Sequence, residues 1–478
     1  MGQISSAPVE LIRVQRGGGK KWRGAVAEMQ GWRADHEDAH FMKDQTTEEG
    51  YAVFGVLDGH GGCEVARLAA HLRLPSSLQR AADGSTSTAH LETAVAASFV
   101  ETDAWLRERP EVKRDQSGST CVVAGLRKKK KTSASDEEEF YEVFIANAGD
   151  SRGLVLRRTR PKSGGLSEEE DDDMMEPVSL VIASDDHKPD RQDEHARIAA
   201  AGGFVSDLDA AKRTIAGQPA NVVARLDGNL AVSRGLGDFA YKRDSRRQPR
   251  DQKVSCVPEV YHAGLAKKGD LLRKGDLVIL ACDGVFDVMT NQELARAIGS
   301  ALSTEGKKIP ADIGDVAARI LTACLHTLNS KDNMTLMIIE VGVDGTDYAY
   351  RPKPQQRQRN NNNGESLQDY GNDDGNNATP TDDDDLDDDD DDDAMTVGKC
   401  IDEIVGVDQY DRQCDEAVKR SYVSFLEYCE TDQHHLPREA RDLLKRVANE
   451  EARGRPGRSR RRDDLDDDDD DQLYAARH

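Results

Sequence analysis

The chain has 478 residues, enough for about two to four domains of ~100 to 200 residues each, so a small disulfide scaffold is excluded. Acidic residues outnumber basic ones by 90 to 65, which gives a net charge of −25. The whole excess lies in three acidic runs, Glu168–Asp173, Asp382–Asp393 and Asp463–Asp471. Outside these runs the charges balance, which is typical of a neutral globular protein with acidic insertions and disfavours binding to nucleic acid.

The cysteines and the apolar runs indicate the cellular compartment. Eight cysteines are scattered along the chain, with no C-x-x-C pair and no histidine spacing of the zinc type. No stretch approaches ~18 uninterrupted apolar residues, and the N-terminus lacks the apolar core of a secretion signal. The sequence therefore predicts a soluble protein of a reducing, intracellular compartment.

Residues 1–21 are interpreted as an N-terminal arm that contains Gly17-Gly18-Gly19. The first six residues, MGQISS, match the pattern for N-myristoylation of Gly2 after removal of the initiator Met. One acyl chain binds membranes only marginally, and neighbouring basic residues add a modest attraction. The basic residues considered for this are Arg13, Arg16, Lys20, Lys21 and Arg23. We therefore expect a cytoplasmic protein with reversible, peripheral membrane contact.

From about residue 22 to 344, short apolar runs bounded by Gly or Asp alternate with helical periodicity. The predicted strands are Tyr51–Leu57, Cys121–Leu126, Glu142–Ala148, Leu180–Ala183, Leu277–Ala281 and Met334–Val341. The predicted helices are Cys63–Leu72, His90–Arg107, Asp193–Ala201, Gln292–Ala301 and Ile313–Leu328. Several strands follow one another without a helix, so an α+β fold with antiparallel sheets is favoured over a doubly wound parallel one.

The remaining segments are predicted to lie outside the folded core. Lys128–Glu139 and Thr159–Glu176 interrupt the strand pattern and are interpreted as mobile surface loops. Residues 345–397 form an expected disordered acidic linker, because their composition cannot bury enough apolar area to fold. Helical periodicity predicts a small appendage over residues 398–453, followed by a basic and then acidic tail over 454–478.

Acidic residues at the ends of predicted strands are the most informative feature. Asp58-Gly59 and Asp283-Gly284 each follow an apolar run, Asp332 precedes one, and Glu37-Asp38 comes shortly after Gly31-Trp32-Arg33. Each site alone is a common turn sequence. Together they predict a cluster of oxygen ligands, and with no thiolate and only His60 nearby, Mg²⁺ or Mn²⁺ suits it better than zinc.

These segments, in this order, resemble the metal-dependent serine/threonine protein phosphatases of type 2C. The resemblance covers roughly residues 22–344 and is carried by nine blocks: Gly31–Arg33 with Glu37–His40, Val56–Gly62, Gly118–Thr120, Asn147–Arg152, Asp186–Pro189, Ala201–Gly203, Leu230–Asp238, Ala281–Met289 and Asp332–Thr335. It implies a sandwich of two antiparallel β-sheets with helices on both outer faces. His36, where the family often has Met, and the acidic run Glu168–Asp173 depart from the pattern.

The resemblance also implies a binuclear Mg²⁺ or Mn²⁺ centre that activates water. Asp58 would bridge the two ions, and the Gly59 carbonyl, Asp283 and Asp332 would complete the direct ligands. Glu37 and Asp38 would hold coordinated waters. By the same resemblance, Asp150 and Asp287 would bind a weaker third ion, and the alternative is that they cap a turn and a helix.

Two further residues are expected to act on the substrate. The guanidinium of Arg33 is a bidentate fork suited to phosphoryl oxygens, and the alternative is a surface ion pair with Asp35 or Glu37. His60, beside Asp58, is placed to protonate the leaving Ser or Thr alkoxide.

The resemblance thus predicts a monomeric enzyme that hydrolyses phosphoserine and phosphothreonine in proteins without a phosphoenzyme intermediate. Two alternatives from other classes remain. One is a pseudophosphatase that keeps the fold and only binds partners. The other places the function in the acidic tail, as a binding site for basic proteins.

Overall fold

The structure is a computed structural model, and it describes residues 4–129, 139–159, 178–206, 214–215, 218–219, 223–263, 271–302, 312–346 and 348. Gly2, most of both predicted surface loops, the linker beyond residue 348, the helical appendage and the tail lie outside the described residues. Among the described helices, none combines the length and the apolar character needed to cross a membrane.

The strands are numbered in chain order. The first ten are β1 (Ile4–Gly19), β2 (Trp22–Arg33), β3 (Ala39–Lys43), β4 (Ala52–Leu57), β5 (Gly59–His60), β6 (Gly118–Ser119), β7 (Cys121–Lys128), β8 (Phe140–Ala148), β9 (Arg152–Arg158) and β10 (Val178–Ala183). The others described are β11 (Val205–Ser206), β12 (Thr214–Ile215), β13 (Gln218–Pro219), β14 (Arg225–Leu226), β15 (Leu236–Gly237), β16 (Glu259–Ala263), β17 (Leu272–Arg273), β18 (Leu277–Ala281) and β19 (Met334–Val341).

The described helices are α1 (Glu64–Leu68), α2 (Leu74–Asp83), α3 (Thr88–Arg107), α4 (Pro110–Asp115), α5 (Gln192–Ala200), α6 (Asp283–Phe286), α7 (Asn291–Leu302) and α8 (Ile313–His326). A π-helical turn, Ala69–Arg73, joins α1 to α2, and two 3₁₀ turns cover Phe239–Tyr241 and Pro249–Asp251.

Two large antiparallel sheets form the centre of the fold. One has the strand order β1-β2-β19-β18-β9-β10, and the other has the order β16-β8-β7-β4-β3 with β17 paired to β8. Between them, the side chains of Val26, Phe54, Val122, Leu280 and Met337 belong to one buried cluster. The expected sandwich of antiparallel sheets is therefore confirmed.

Helices cover the outer face of each sheet, which explains why the central strands are apolar on both sides. Along β19, Leu336 and Ile338 face the cluster that contains α7 and α8, whereas Met337 and Ile339 face the other sheet. On the second sheet, Val123 and Phe144 pack with Leu78 of α2 and Phe99 of α3. Because successive side chains of a strand point to opposite faces, burial on both faces requires an uninterrupted apolar run.

The N-terminal segment differs from the arm that the sequence predicted. Ile4–Gly19 forms β1, the edge strand of the first sheet, and pairs with β2 from Ile4 opposite Arg33 to Gly19 opposite Trp22. Ile12 is buried in the core cluster beneath α8. The glycine triplet serves close packing: a Cβ on Gly18 would overlap the backbone of Gly345, whose N–H donates to the carbonyl of Gly19 at 2.9 Å.

The folded unit also extends past residue 344, where the linker was predicted to begin. Tyr348 is 5 % exposed, and its hydroxyl donates to Asp312 Oδ2 at 3.0 Å and accepts from the Ile313 N–H at 3.0 Å. Arg16 of β1 donates from Nε to the other carboxylate oxygen of Asp312 at 2.9 Å. Both ends of the domain are thereby attached to the N-terminus of α8.

The position of Ile12 provides a test of β1. We expect Ile12→Ala to lower the free energy of unfolding by about 2–4 kcal/mol, because it removes a buried side chain from a packed core. Chemical denaturation monitored by circular dichroism measures the change. Val9→Ala, on the same strand but 37 % exposed, is the control and should have little effect. Equal, negligible effects of both substitutions would mean that residues 4–19 behave as a free arm.

Candidate active site

The acidic residues singled out in the sequence lie in loops at the ends of central strands. Asp58 separates β4 from β5, Asp150 lies between β8 and β9, and Asp283 begins α6 directly after the Cys282 that follows β18. Asp332 lies two residues before β19. Since β4 and β8 belong to one sheet and β18 and β19 to the other, the residues lie at the junction of both sheets.

Two groups of potential ligand atoms converge there. Carboxylate oxygens of Asp58, Asp150 and Asp283 all lie within 4.8 Å of one another. Asp38, Asp58 and the Sγ of Cys282 form a second such group. Asp58 belongs to both groups, which is the position that a bridging carboxylate needs.

The electrostatics of this cluster favour a bound cation. Burial, and then the negative charge of Asp283 and its neighbours, raises the pKa of Asp58 well above its ordinary range. Burial and Asp150 have the same effect on the pKa of Asp283. Asp38 Oδ1 and Asp283 Oδ1 are buried without a hydrogen-bond partner among the described residues. Such oxygens are satisfied by a metal ion, which also removes the repulsion between the carboxylates.

Cys282 does not change the choice of metal. Its Sγ accepts the N–H of Thr335 at 3.1 Å, and burial raises the pKa of its thiol well above the ordinary value. A protonated thiol is a poor metal ligand. The remaining donors are carboxylate oxygens, which suit Mg²⁺ or Mn²⁺.

Neighbouring hydroxyl and amide groups hold the carboxylates in place. Thr335 Oγ1 donates to Asp38 Oδ2 at 2.6 Å. The Asp58 backbone exchanges two hydrogen bonds with Thr120, from the Asp58 N–H to Thr120 Oγ1 at 3.3 Å and from the Thr120 N–H to the Asp58 carbonyl at 2.9 Å. The loop that carries Asp58 is thus fixed to β7 of the same sheet.

Both the backbone and the side chain of Glu37 form hydrogen bonds that hold the residue in place. Its backbone N–H donates to Asn333 Oδ1 at 2.9 Å, and its Oε1 accepts the N–H of Gly62 at 2.5 Å. A Cβ on Gly59 would overlap the carbonyl of Glu37, so only glycine allows the two segments to approach this closely. Burial raises the pKa of Glu37.

Arg33, at the end of β2, forms an ion pair with Asp332. This partner differs from the surface pair with Asp35 or Glu37 that was the alternative for Arg33. Burial opposes the charge of Arg33, but the carboxylates of Asp332, Asp283 and Asp58 outweigh it and raise its pKa. The guanidinium therefore stays charged beside the carboxylate cluster, and 30 % of its side chain is exposed.

His60, on β5, lies with its Nε2 2.9 Å from Oδ2 of Asp238. Burial alone would lower the pKa of His60, but the charge of Asp238 raises it above the ordinary value of 6.5. Asp238 was part of a recognised sequence block without an assigned role. The structure brings it to His60 from 178 residues further along the chain.

Asp150 and Asp287 differ in their surroundings. Lys188 forms an ion pair with Asp150, and although burial opposes it, the charges of Asp150, Asp283 and Asp287 raise the pKa of Lys188. Asp287 follows α6 and donates its backbone N–H to the Asp283 carbonyl at 2.7 Å. Burial raises the pKa of Asp287. Lys188 is thus a fixed cation next to the residues that a third metal ion would use.

The residues that contact the predicted site residues could not be identified from the sequence alone. Thr120, Lys188, Asp238 and Thr335 all lie in blocks that support the family resemblance, but their contacts join segments far apart in the chain. Only the fold shows which acidic residue faces which hydroxyl or cation.

Comparison with known proteins agrees with this fold. The sequence model of the family Protein phosphatase 2C matches residues 22–334. The chain is 30 % identical to human Protein phosphatase 1A over 348 residues, which cover 71 % of this chain and 76 % of that protein. It is 29 % identical to Protein phosphatase 2C homolog 2 of Saccharomyces cerevisiae, covering 73 % of this chain and 65 % of the yeast protein.

A solved structure supports the fold. A phosphatase from Toxoplasma gondii superposes with a TM-score of 0.51 at 22 % identity and covers 69 % of this chain and 95 % of that one. The chain therefore belongs to the protein phosphatase 2C family, a class of metal-dependent serine/threonine protein phosphatases. The resemblance found in the sequence motifs is confirmed.

Proposed function

We propose that this chain hydrolyses phosphoserine and phosphothreonine in proteins by direct attack of water on phosphorus. The observation that carries the proposal is the group of carboxylate oxygens of Asp58, Asp150 and Asp283 within 4.8 Å of one another. Neighbouring carboxylates raise the pKa of Arg33, a cation suited to phosphate, and that of His60, an acid suited to a leaving oxygen.

In this proposal Asp58, the Gly59 carbonyl, Asp283 and Asp332 would hold two Mg²⁺ or Mn²⁺ ions. Glu37 and Asp38 would contribute through hydrogen bonds to water on the metal, and Asp150 with Asp287 would hold a weaker third ion. Bound ions of this kind lower the pKa of water and neutralise phosphoryl charge. The unpartnered oxygens of Asp38 and Asp283 support this ligand set.

Arg33 binds the phosphoryl group of the substrate. Its Nη2 is paired with Asp332, which fixes the plane of the guanidinium and leaves further N–H donors for phosphoryl oxygens. Because the pKa of Arg33 is raised, it keeps its charge throughout turnover. Lysine at this position would offer a point charge without the planar fork.

His60 supplies the proton that the leaving seryl or threonyl oxygen needs. An alkoxide is a poor leaving group, so an acid at this point is worth ~10²–10⁴ in rate. Burial lowers the pKa of His60, but the charge of Asp238 outweighs it and raises the pKa, which stabilises the protonated form of the ring.

Hydrolysis of a phosphothreonine peptide by the full chain, with Mn²⁺ and with EDTA, tests the proposal. Turnover only in the presence of metal is expected. No turnover while calorimetry shows bound Mn²⁺ would favour the pseudophosphatase alternative. Removal of residues 349–478, followed by assays of activity and of bound basic proteins, tests the alternative that places the function in the acidic tail.

We further propose that Gly2 is myristoylated and gives the protein reversible membrane contact. Ile4, the first described residue, pairs with Arg33 at the active-site end of β1. The contribution of the nearby basic residues to membrane binding is smaller than the sequence alone indicates. Arg16 is paired with Asp312 and Asp315, and Arg23 with Glu340.

Gly2→Ala is expected to abolish membrane binding, since one acyl chain supplies an association constant of only ~10⁴ M⁻¹ and little else holds the protein there. Flotation with anionic vesicles, using protein coexpressed with the transferase, measures the loss. Activity on a soluble phosphopeptide should be unchanged. Mass spectrometry that finds an unmodified Gly2 in the native cell would contradict the proposal.

A further inference from the structure

The contact between Asp238 and His60 is built by the small sheet β15-β6-β5. In this sheet Gly118 pairs with His60 on one side and with Gly237 on the other. The side chain of His60 and that of Asp238, the residue after Gly237, meet at 2.9 Å across Gly118. The Asp238 side chain is 7 % exposed, whereas 30 % of the His60 side chain is exposed, so the pair has a buried acid and an accessible ring.

Gly118 leaves the space in which the two side chains meet. A Cβ on Gly118 would overlap both the Asp238 carboxylate and the Nε2 of His60. Its backbone conformation is not left-handed, so the missing side chain is a matter of space and not of backbone geometry. Any larger residue here must push the pair apart.

A second, buried ion pair fixes the backbone on which Asp238 lies. Asp103 Oδ1 accepts from the Gly237 N–H at 2.8 Å and from Lys242 Nζ at 2.8 Å. The Asp238 N–H donates to the Ser117 carbonyl at 3.1 Å, and Asp238 has the left-handed φ of 50°. A non-glycine residue adopts this conformation at some cost, which the surrounding contacts offset. Asp238 is thus held in one orientation towards His60.

We propose that Asp238 is a positioning residue that orients His60 and holds its Nε2–H, so that Nδ1 is the ring nitrogen that transfers the proton. This inference rests on the proposed role of His60 as the general acid. The Nε2–H of His60 donates to the Asp238 carboxylate, so the proton available for transfer is on Nδ1.

The proton then follows the bond that breaks. As water attacks phosphorus, the electron pair of the scissile P–O bond passes to the seryl or threonyl oxygen, which takes the proton from Nδ1. The ring becomes neutral and keeps its Nε2–H on Asp238. The attacking water releases one proton to solvent as the new P–O bond forms, and one proton returns from solvent to Nδ1. The ring is then protonated on both nitrogens again before the next turnover.

Asp238→Asn tests the positioning role, because Asn tolerates the left-handed conformation best among neutral residues of this shape. We expect kcat for a phosphothreonine peptide to fall about 10–100-fold, because a misoriented acid loses part of the rate that the acid supplies. The kcat for p-nitrophenyl phosphate should change less than about threefold, because its leaving group needs no acid. Gly118→Ala, which separates the pair sterically, should give the same selective loss and is the second variant if Asp238→Asn does not fold.

Asp227→Asn is the matched control. Asp227 has a left-handed φ of 49°, like Asp238, and forms an ion pair with Lys253 at 2.7 Å. Its carboxylate accepts hydrogen bonds from the Phe204 N–H and from Lys253 Nζ, and not from His60. It should leave the ratio of the two activities unchanged. If Asp238 acts only through His60, the double variant His60→Gln/Asp238→Asn should hydrolyse the peptide no more slowly than His60→Gln alone.

The outcomes separate this inference from the proposed function. If His60→Gln slows both substrates equally, the acid role itself fails. If His60→Gln is selective for the peptide but Asp238→Asn and Gly118→Ala slow both substrates equally, only the positioning role is overturned. Losses that multiply in the double variant would overturn it as well, because Asp238 would then act independently of His60.

Discussion

Replacement of Asp283 by Asn is expected to lower turnover by about 10³-fold or more while the protein stays folded. Asp283 offers an unpartnered, buried Oδ1 to the carboxylate cluster, and its oxygens lie within 4.8 Å of those of Asp58 and Asp150. An amide has nearly the same shape but no charge, so the variant loses metal affinity without leaving a cavity. Phosphopeptide hydrolysis over a range of Mn²⁺ concentrations measures the effect.

The same substitution should not destabilise the metal-free protein. The pKa of Asp283 and that of Asp58 are well above the ordinary 3.8, so the folded state retains protons that the unfolded chain releases. The free energy of unfolding of the metal-free protein therefore falls as pH rises from about 4 through the folded pKa values. Asp283→Asn removes one of the repelling charges, and its melting temperature in EDTA should match or exceed that of the wild type at neutral pH.

Asp276→Asn is the control, at the opposite end of β18. Asp276 is 3 % exposed and accepts the N–H groups of Arg158 at 3.1 Å and Arg273 at 2.8 Å. Its replacement should cost stability, because one of the two buried acceptor oxygens becomes an NH₂ group that cannot accept a backbone N–H, but it should leave turnover at saturating Mn²⁺ unchanged. Full activity of Asp283→Asn at saturating Mn²⁺ would remove Asp283 from the ligand set.

The strands buried on both faces were predictable from the sequence. Leu277–Ala281 and Met334–Val341 have the bounds that their apolar runs predict, because helices on one side and a sheet on the other demand an apolar residue at every position. The helix Ile313–His326 differs from its prediction only at the C-terminal end. The local pattern of apolar residues was therefore sufficient to predict a strand wherever both of its faces are buried.

The edge strand β1 and the full length of the helical region before α3 could not be predicted from the pattern of apolar residues. β1 is an edge strand with several polar and glycine residues, and the close approach of Gly18 to the Gly345 backbone and of Gly19 to the Asp44 carboxylate explains two of its glycines. The helical region Glu64–Asp83 continues through Pro75, which lies at the start of α2 where its missing N–H costs nothing. Both features depend on neighbours that the local sequence does not contain.

The same distinction between local pattern and long-range contact applies to the residues of the candidate site. Asp58, Asp283 and Asp38 could be singled out as candidate metal ligands because such ligands at strand ends need a particular residue type at a particular place. Lys188 and Asp238 contact Asp150 and His60, 38 and 178 residues away, so these contacts could be found only in the fold. The ion pair of Arg33 with Asp332 joins β2 to β19 in the same way.

Replacement of His60 by Gln is expected to separate two substrates that differ only in their leaving group. The threonyl alkoxide needs a proton as the P–O bond breaks, whereas p-nitrophenolate leaves without one. His60→Gln should therefore lower kcat for a phosphothreonine peptide by about 10²–10⁴-fold and kcat for p-nitrophenyl phosphate by less than about tenfold. Gln keeps a side chain of similar length that can donate a hydrogen bond to Asp238, so the fold around β5 should survive.

The comparison needs evidence that the metal centre is intact, because His60 lies two residues from Asp58. Calorimetric titration with Mn²⁺ should give the same affinity for His60→Gln as for the wild type. His90→Gln, a substitution on the exposed first turn of α3, is the control and should leave both activities unchanged. An equal loss on both substrates with unchanged Mn²⁺ affinity would exclude His60 as the acid, and the proton for the leaving oxygen would then have to come from another group or from solvent.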